Sequence, residues 1–385
     1  MPKGRQNSAG CAIWSVGEGR SRRPCSPYSS RILAFAARRA AWYHAGRGGG
    51  PHQYARNEPM TNSADTNGAA YAAALHGAAL ADEGEAGRIL MRGRDRAALL
   101  HRLSTNDIER LRPGAGARSV LTTPIGRIID VLAVHALDDA LLLATSPGQG
   151  GAVWAHLKKN IFFQDQVALE AAGRSHGQLA LYGPAAAEAL RQALGADIPS
   201  LPPHHNATLG FGGAQLIVAA RPPIGGPSFT LYVPAEQLPA ARAALLGAGA
   251  LALDAATLEV LRVEAGYAAS GRELSQEYIP LETGLHDAVS FSKGCYVGQE
   301  IIARMESRGR LAKRLMGLRL SAPASAPGKL DVGGKEAGDL TSAAVSPRFG
   351  PIALAYVRSA HADPGTRVGI AGGDVWGEVA ELPFK

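Results

Sequence analysis

The most unusual run in this 385-residue chain reads FSKGCYVGQEIIAR and occupies residues 291–304. Gly294 and Gly298 predict a tight loop in which backbone segments approach closely, since glycine has no Cβ and tolerates left-handed conformations. The residues from Gln299 to Met305 predict a short helix directly after the loop. The run therefore indicates a thiol-bearing loop that leads into a helix N-terminus.

Cys295 lies just ahead of this predicted helix, beside Lys293 and near Arg304 or Arg308. A helix N-terminus and neighbouring cations favour the thiolate, the form that acts as a nucleophile or metal ligand. One cysteine supplies at most one of the roughly four ligands that a zinc or iron–sulfur site needs. Any metal or cluster at Cys295 must therefore be shared with a partner protein or completed by another ligand. The competing interpretation is an inert, half-buried cysteine in a tight loop.

The remaining motifs exclude several function classes. The chain has no Gly-x-Ser-x-Gly elbow, no phosphate-binding loop and no strand-linked Gly-x-Gly-x-x-Gly, so serine-hydrolase and nucleotide-cofactor interpretations have no support. His286, the nearest histidine upstream of Cys295, is interpreted as a surface residue. Three cysteines in the whole chain indicate a reducing compartment rather than a disulfide scaffold. The most apolar stretch, Val131 to Ala144, is interrupted by two aspartates and is too short to span a membrane.

The formal net charge of +7 is concentrated at one end of the chain. Residues 1–57 hold ten Lys and Arg against one acid, whereas the remaining 328 residues hold 30 basic and 32 acidic groups. The nearly neutral body argues against binding to a phosphate backbone, and hence against a nucleic-acid partner for that part of the chain.

Residues 1–66 are rich in Gly, Arg, Ser and Pro without a sustained period, which predicts a disordered basic extension. We favour the interpretation that this segment is upstream sequence outside the native protein, which would then start at Met60. The alternatives are an organelle transit peptide and a nucleic-acid-binding arm. The body is expected in the cytoplasm, or in the mitochondrial matrix if residues 1–57 are a transit peptide.

Beyond this extension the chain predicts two similar α+β units followed by a small β-domain. The segment from Gly84 to Arg94 predicts a pair of strands, and Ser119–Thr123 with Ile128–His135 predicts a hairpin. After Arg314, five short strands bounded by turns predict a barrel or sandwich of about 70 residues. The predicted domains are the extension at 1–66, a core at 67–314 and a C-terminal β-barrel at 315–385.

The run Lys293–Glu300, followed by Ala303 and Arg304, resembles the signature of the YgfZ-type folate-binding proteins, which assist iron–sulfur enzymes. That family is similar in fold to the aminomethyltransferase of the glycine cleavage system, the T-protein. The resemblance covers residues 70–385 and implies an α+β fold. This fold is an aminomethyltransferase-like cloverleaf of two α+β subdomains plus a C-terminal β-barrel around a central folate channel. Further matching segments are Gly126–Asp130, Leu261–Gly266, Pro280–Glu282, Thr341–Ser342 and Ile352–Val357.

The resemblance implies tetrahydrofolate as the ligand and Cys295 as a functional thiol, with Lys293 and Arg304 holding anionic groups. An iron–sulfur cluster would be involved only if Cys295 shares it with a scaffold or client protein, and no membrane partner is implied. The residues assigned to folate binding by the resemblance are Arg127, Asp130, Glu264, Tyr296, Gln299 and Glu300.

Two positions depart from the methyltransferase pattern. Val131 stands where the methyltransferase has the second residue of an Asp-Asp pair, to which the resemblance assigns chemistry, and valine cannot accept a proton. Thr230 stands where a glutamate would bind the pterin, which removes a charge-assisted pair worth about 1.5–3 kcal/mol. Glu264 is a candidate replacement carboxylate, or alternatively a structural partner of Arg262 or another cation.

The sequence is consistent with three functions. The preferred hypothesis is a tetrahydrofolate-binding accessory factor, without a classical enzyme activity, for the assembly or repair of iron–sulfur proteins. In it, Cys295 contacts a cluster, a scaffold or an oxidised adduct. The second is a folate-dependent aminomethyl or one-carbon transferase, with Asp130 and Glu264 as candidate acid/base groups. The third is a factor associated with tRNA modification, a process to which the YgfZ-type family is often linked.

Overall fold

The structure is a computed structural model, and it describes residues 68–385. The predicted extension, including Met60, lies outside the described residues. Within residues 68–385, seven α-helices and 17 strands form two open sheets and one closed barrel. The helices are α1 (Gly68–His76), α2 (Arg96–Leu103), α3 (Gly150–Lys159), α4 (Ala186–Leu194), α5 (Leu238–Gly247), α6 (Ala255–Ala265) and α7 (Gln299–Arg308). The strands are β1 (Ala79–Asp82), β2 (Ala86–Arg92), β3 (Gly116–Thr122), β4 (Ile128–Ala136), β5 (Ala140–Pro147), β6 (Ala168–Ala171), β7 (His176–Tyr182), β8 (Asn206–Phe211), β9 (Ala214–Ile224), β10 (Gly226–Pro234), β11 (Leu251–Ala252), β12 (Lys313–Leu320), β13 (Gly328–Val332), β14 (Lys335–Ser346), β15 (Gly350–Arg358), β16 (Arg367–Ile370) and β17 (Trp376–Ala380).

The first α+β unit is built on a five-stranded antiparallel sheet in the order β3-β4-β5-β2-β6. Helices α2 and α3 cover one face, where an apolar cluster includes Leu99, Leu132, Leu143 and Val153. The predicted hairpin is confirmed, because β3 and β4 pair around a turn in which Gly126 has a φ of 73°. Since side chains alternate along a strand, the opposite face of this sheet is left for the second unit.

The second unit is a six-stranded sheet in the order β11-β1-β7-β10-β9-β8, with α4 and α5 packed on one face. The prediction of a strand pair within residues 84–94 is wrong, because this stretch holds the single strand β2, which pairs with β5 and β6. The preceding strand, β1, belongs to the other sheet. The backbone N–H of Glu83 donates to the carbonyl of Gln178 on β7, so the chain leaves β1 alongside β7. Leu80 packs in the core of the second unit, whereas Ile89 packs in the core of the first. These separate apolar faces, rather than closeness in sequence, decide the pairing.

The helix-free faces of the two sheets meet through His135 and Tyr232. The Nε2 atom of His135 lies 3.0 Å from the hydroxyl oxygen of Tyr232, and its Nδ1 atom lies 3.2 Å from the carbonyl oxygen of His204. A carbonyl can only accept, so Nδ1 carries the proton and the Tyr232 hydroxyl donates to Nε2. Burial lowers the pKa of His135 to about 4, and the ring is therefore neutral at pH 7.

Acidification is expected to weaken this contact between the sheets. The pKa of His135 is lower in the folded protein than in the unfolded chain, so the unfolded chain binds more protons between pH 4 and 6.5. Stability should fall by about 2 kcal/mol between pH 7 and pH 5 through this residue. Urea unfolding at both pH values should show a smaller loss for His135→Gln than for the wild type. The control His76→Gln, at an exposed helix end, should match the wild type, and an equal loss in His135→Gln would contradict the assignment.

The third part is a closed barrel in the order β12-β15-β14-β13-β16-β17. The five strands predicted for this region are confirmed, and β13 is a sixth that follows directly after a stretch rich in Gly, Pro and Ser. Its interior is filled by aliphatic side chains that include Leu318, Leu330, Leu340 and Val368. The expected α+β fold with a C-terminal barrel is therefore present. No helix within residues 68–385 is long and apolar enough to cross a membrane.

Candidate functional site

The signature loop, residues 291–298, is clamped to the first unit by Lys293. Its ammonium group donates to three backbone carbonyls, at 2.5 Å to His101, 2.8 Å to Ser104 and 2.7 Å to Asn106. These carbonyls lie at and beyond the end of α2, where main-chain acceptors lack helical partners. Burial lowers the pKa of Lys293 to about 8. Because all three N–H bonds are used, this geometry gives no support to the prediction that Lys293 holds an anionic ligand.

The other end of the loop rests on α2 and on the β3–β4 turn. The backbone N–H of Val297 donates to the carbonyl of Arg102 at 3.1 Å, and its carbonyl accepts from the hydroxyl of Thr122 at 2.5 Å. Gly298 has a φ of 88°, and a Cβ at this position would lie 2.8 Å from the carbonyl oxygen of Thr123. Both the conformation and the space therefore require glycine.

Cys295 is exposed on this anchored loop. Helix α7 begins four residues later at Gln299, so the predicted arrangement of a thiol ahead of a helix is present. Arg304 pairs with Glu300 at 2.7 Å, as their spacing predicts. No group of three or more His, Cys, Asp or Glu side chains in the described part of the chain is arranged to hold a metal ion. Cys295 is thus a solvent-accessible thiol at a fixed place on the surface.

Three of the residues assigned to folate by the resemblance lie in this loop and helix. Tyr296 is buried in an apolar cluster with Ile302, and burial raises its pKa to about 12. The side-chain oxygen of Gln299 accepts from the backbone N–H of Tyr296 at 3.4 Å. Glu300 is exposed beside Arg304. The contacts of Tyr296 and Gln299 hold the loop against the helix, whereas that of Glu300 lies within the helix.

Apolar side chains are exposed on the loop, on the β3–β4 turn that it contacts, and after α3. Ile125 lies in the β3–β4 turn, Phe291 begins the loop, and Phe162 and Phe163 follow α3. Phe163 is fully exposed, and the guanidinium of Arg102 lies 5.2 Å from the ring centroid of Phe162. Exposed apolar groups on and near a loop that carries an accessible thiol are typical of a surface that receives another protein.

Asp130 and Arg127 occupy different surroundings. Asp130 is buried; its Oδ2 atom accepts from the backbone N–H of Ser146 at 3.1 Å, and its Oδ1 atom has no partner among the described groups. Burial raises the pKa of Asp130. The guanidinium of Arg127 donates to the carbonyl of Glu277 at 2.7 Å and lies 3.8 Å from the carboxylate of Glu282. Arg127 therefore anchors the segment that precedes the signature loop.

Glu264 is held by hydroxyl groups rather than by a cation. The hydroxyl of Tyr71 donates to its carboxylate at 2.6 Å, and the hydroxyl of Ser346 donates to the same oxygen. Arg262, the cation considered for it, pairs with Glu273 at 3.2 Å instead. Glu264 thus joins α6 to α1 and to the barrel, which favours its structural interpretation.

A second group of residues, five polar and one apolar, lies on the inner faces of the two sheets and in the segment after α6, and we name it the central cluster. The cluster comprises Arg118, Val131, Arg221, Thr230, Tyr267 and Asp287. Arg118 and Val131 share one face of the β3–β4 hairpin, because Arg118 pairs with Ala133, two residues along from Val131. Asp130, next to Val131 on the strand, points to the opposite face. The structure therefore does not bring Asp130 into the central cluster.

The second sheet contributes two members of the central cluster. Thr230 and Arg221 share the inner face of this sheet, because Thr230 pairs with Ala219, two residues before Arg221. Tyr267 lies within electrostatic range of the three charged members, and its hydroxyl donates to the carbonyl of Pro223 at 2.8 Å. Only two members of this cluster, Val131 and Thr230, stand out in the sequence, as departures from the methyltransferase pattern.

Arg221 is a fixed cation. Its guanidinium lies 2.9 Å from the carboxylate of Glu83, which also accepts from Gln178 at 2.8 Å and Tyr182 at 3.1 Å. Burial opposes the charge of Glu83, but Arg221 and the hydrogen bonds outweigh it and hold its pKa below the usual value. The guanidinium also stacks 4.8 Å from the ring centroid of Tyr182. This network fixes the guanidinium of Arg221 on the same sheet face as Thr230.

Two adjoining domain families match the chain. The GCVT N-terminal domain matches residues 33–293, and the glycine cleavage T-protein C-terminal barrel domain matches residues 313–385. The first match begins upstream of residue 67, so it reaches into the segment that the resemblance was expected to leave out. The second match corresponds to the six-stranded barrel.

Individual relatives agree with these matches. An Arabidopsis thaliana protein, named provisionally as a chloroplastic transferase, is 32% identical over 326 residues, which are 84% of this chain and 75% of the relative. The aminomethyltransferase of Rubrobacter xylanophilus is 30% identical over 311 residues, 80% of this chain and 83% of the relative. The crystal structure of the glycine cleavage system aminomethyltransferase T from Bartonella henselae has a TM-score of 0.75 at 24% identity. The structural match covers 82% of this chain and 89% of the Bartonella henselae chain, which confirms the aminomethyltransferase-like fold.

Proposed function

Because this chain belongs to the glycine cleavage T-protein (GCVT) family, we propose that it is a YgfZ-type member of that family. In this proposal it is a tetrahydrofolate-binding accessory factor for the assembly or repair of iron–sulfur proteins. The observation that carries the proposal is the exposed Cys295 on a loop that is anchored at both ends. A thiolate is a soft ligand that suits iron–sulfur chemistry. The exposed apolar side chains beside the loop support a partner protein that presents a cluster or a scaffold as the substrate.

Tetrahydrofolate would bind at the central cluster. Its tail carries carboxylates, for which the guanidinium group of Arg221 is a suitable partner. Its pterin ring is flat, and Tyr267 and Val131 offer aromatic and apolar surface to it. When bound, the ligand supplies a reduced pterin; the residues of this chain bind and orient it.

The relatives named aminomethyltransferase favour a second candidate, transfer of an aminomethyl or one-carbon group. Such a reaction needs an acid/base group, for which Asp130 and Glu264 are the candidates. Asp130 points away from the central cluster, and Glu264 is engaged by Tyr71 and Ser346. Neither carboxylate takes the place of the one missing at Val131. The geometry therefore supports binding without transfer.

We also propose the predicted division into a basic extension at 1–66, a core at 67–314 and a barrel at 315–385. The name of the Arabidopsis relative describes it as chloroplastic, which supports a transit-peptide role for residues 1–57. That role is the alternative to upstream sequence with a start at Met60. It would place the protein in the mitochondrial matrix rather than in the cytoplasm.

Calorimetric titration of the full chain with tetrahydrofolate tests the folate part of this proposal, and we expect saturable binding. Incubation with tetrahydrofolate and an aminomethylated lipoyl carrier should give no methylene-tetrahydrofolate, because Val131 cannot move a proton. A known aminomethyltransferase in the same assay is the positive control. Absence of binding would overturn the folate part, and product formation would establish the transferase instead.

A further inference from the structure

Asp287 places a carboxylate between the two α+β units. It lies in a short 3₁₀ turn, His286–Ala288, and its side chain is half exposed at 50%. Its Oδ2 atom lies 3.4 Å from the guanidinium of Arg118 in the first unit and 3.6 Å from Nε2 of His204 in the second. The side-chain amide of Asn106 donates to its backbone carbonyl at 3.0 Å. Both the main chain and the carboxylate of Asp287 are therefore held in place.

His204 is held next to this carboxylate in a strained conformation. It has a φ of 66° and is the one non-glycine residue with a positive φ in the described part of the chain. A Cβ on Gly116 would lie 2.1 Å from the carbonyl oxygen of His204, so glycine at 116 is what lets this segment approach. His135 donates to the same carbonyl. Strain of this kind persists where the surrounding structure imposes it, and it clusters at ligand sites.

The carboxylates around the central cluster differ in what they can still bind. Glu83 is already occupied by Arg221, Gln178 and Tyr182. Asp287 has the guanidinium of Arg118 and the imidazole of His204 on one side, and half of its side-chain surface is exposed. The nearby imidazole of His204 and guanidinium of Arg118 lower the pKa of Asp287, so it is ionised at pH 7. Asp287 thus offers acceptor atoms beside Tyr267 and Arg118.

We propose that Asp287 is the carboxylate that recognises the heterocycle of the ligand, in place of the glutamate that Thr230 replaces. It accepts two hydrogen bonds, from the amino group and the ring N–H of a 2-amino-4-oxopyrimidine edge, as in a pterin. Arg118 and His204 hold the carboxylate charged and oriented for this contact. The inference rests on the proposed binding of tetrahydrofolate and adds the residue that selects the ring.

The test compares Asp287→Asn with the wild type in calorimetric titrations with tetrahydrofolate. An amide offers one acceptor and no charge, so affinity should fall about 10- to 100-fold. The matched control is Asp139→Asn. Asp139 lies in the β4–β5 turn, where its exposed carboxylate pairs with Arg92. This substitution should change the affinity for tetrahydrofolate by less than about twofold. Thermal melts of both variants check that each is folded.

A second ligand adds a test that does not rest on the affinity of the variant alone. A tetrahydrofolate analogue with hydrogen in place of the 2-amino group should bind the wild type about tenfold more weakly than tetrahydrofolate, because it lacks one donor. Asp287→Asn should lose this discrimination. Equal affinity of Asp287→Asn and the wild type for tetrahydrofolate, or retained discrimination in the variant, overturns the inference and leaves folate binding intact. If the wild type itself binds no tetrahydrofolate, the proposed function fails, and the inference fails with it.

Discussion

A Cys295→Ser variant is expected to leave iron–sulfur enzyme activity at the level of cells that lack this protein. Serine is close in size but carries a hydroxyl group that stays neutral at pH 7 in place of the thiol, so it cannot act as a soft ligand or redox-active group. Cys295 is exposed, and the contacts that seat the loop come from Lys293 and Val297. The fold should therefore be unchanged, and the affinity for tetrahydrofolate should change by less than about twofold. Activity of iron–sulfur enzymes in extracts of the complemented deletion strain provides the measurement.

Ser292→Ala is the matched control for this experiment, because Ser292 is exposed on the same loop and carries no thiol. It should restore activity as the wild type does. Full rescue by Cys295→Ser would show that the thiol is not the functional group, and the exposed loop would then act only as a contact surface. Loss of rescue together with loss of folding would instead show that Cys295 is needed to seat the loop.

The signature loop was predictable because its information is local. Two glycines, a cysteine and a helix start lie within a dozen residues, and the structure places each of them as the spacing requires. The role of Lys293 could not be read in the same way. Its three acceptors are backbone carbonyls around the end of α2, almost 200 residues earlier. Because every residue has a backbone carbonyl, such acceptors cannot be identified from the sequence.

The central cluster was out of reach for a related reason. Its members come from β3, β4, β9, β10 and the segments after α6, and only the sheet topology brings them together. Alternation along β4 does separate Asp130 from Val131, and this signal alone could have shown that the two point to opposite faces. The strand order could not be inferred, because β1 crosses to the second sheet although β2 follows it after three residues.

Gly298→Ala is expected to lower the free energy of unfolding by about 3 kcal/mol, whereas Gly309→Ala should cost about 1 kcal/mol. The two glycines flank α7, and both have a left-handed backbone, with φ of 88° and 57°. A Cβ at 298 would lie 2.8 Å from the carbonyl oxygen of Thr123 and 2.9 Å from Cα of Gly126, whereas a Cβ at 309 meets nothing within 4 Å. The difference between the variants therefore isolates the close approach of the loop to the β3–β4 turn.

Urea unfolding of the two variants, with rescue of iron–sulfur enzyme activity alongside, measures this difference. Backbone atoms at the turn cannot rotate out of the way as a side chain can, so Gly298→Ala must displace the loop and with it Cys295. We expect rescue to be lost in Gly298→Ala although its thiol is intact, and to be retained in Gly309→Ala. If both variants were destabilised equally, strain in the backbone conformation would be the whole effect. If Gly298→Ala were unstable yet fully active, the position of the thiol on the surface would not matter for function. Loss of rescue in this variant alone would show that the reaction needs Cys295 held where the β3–β4 turn places it.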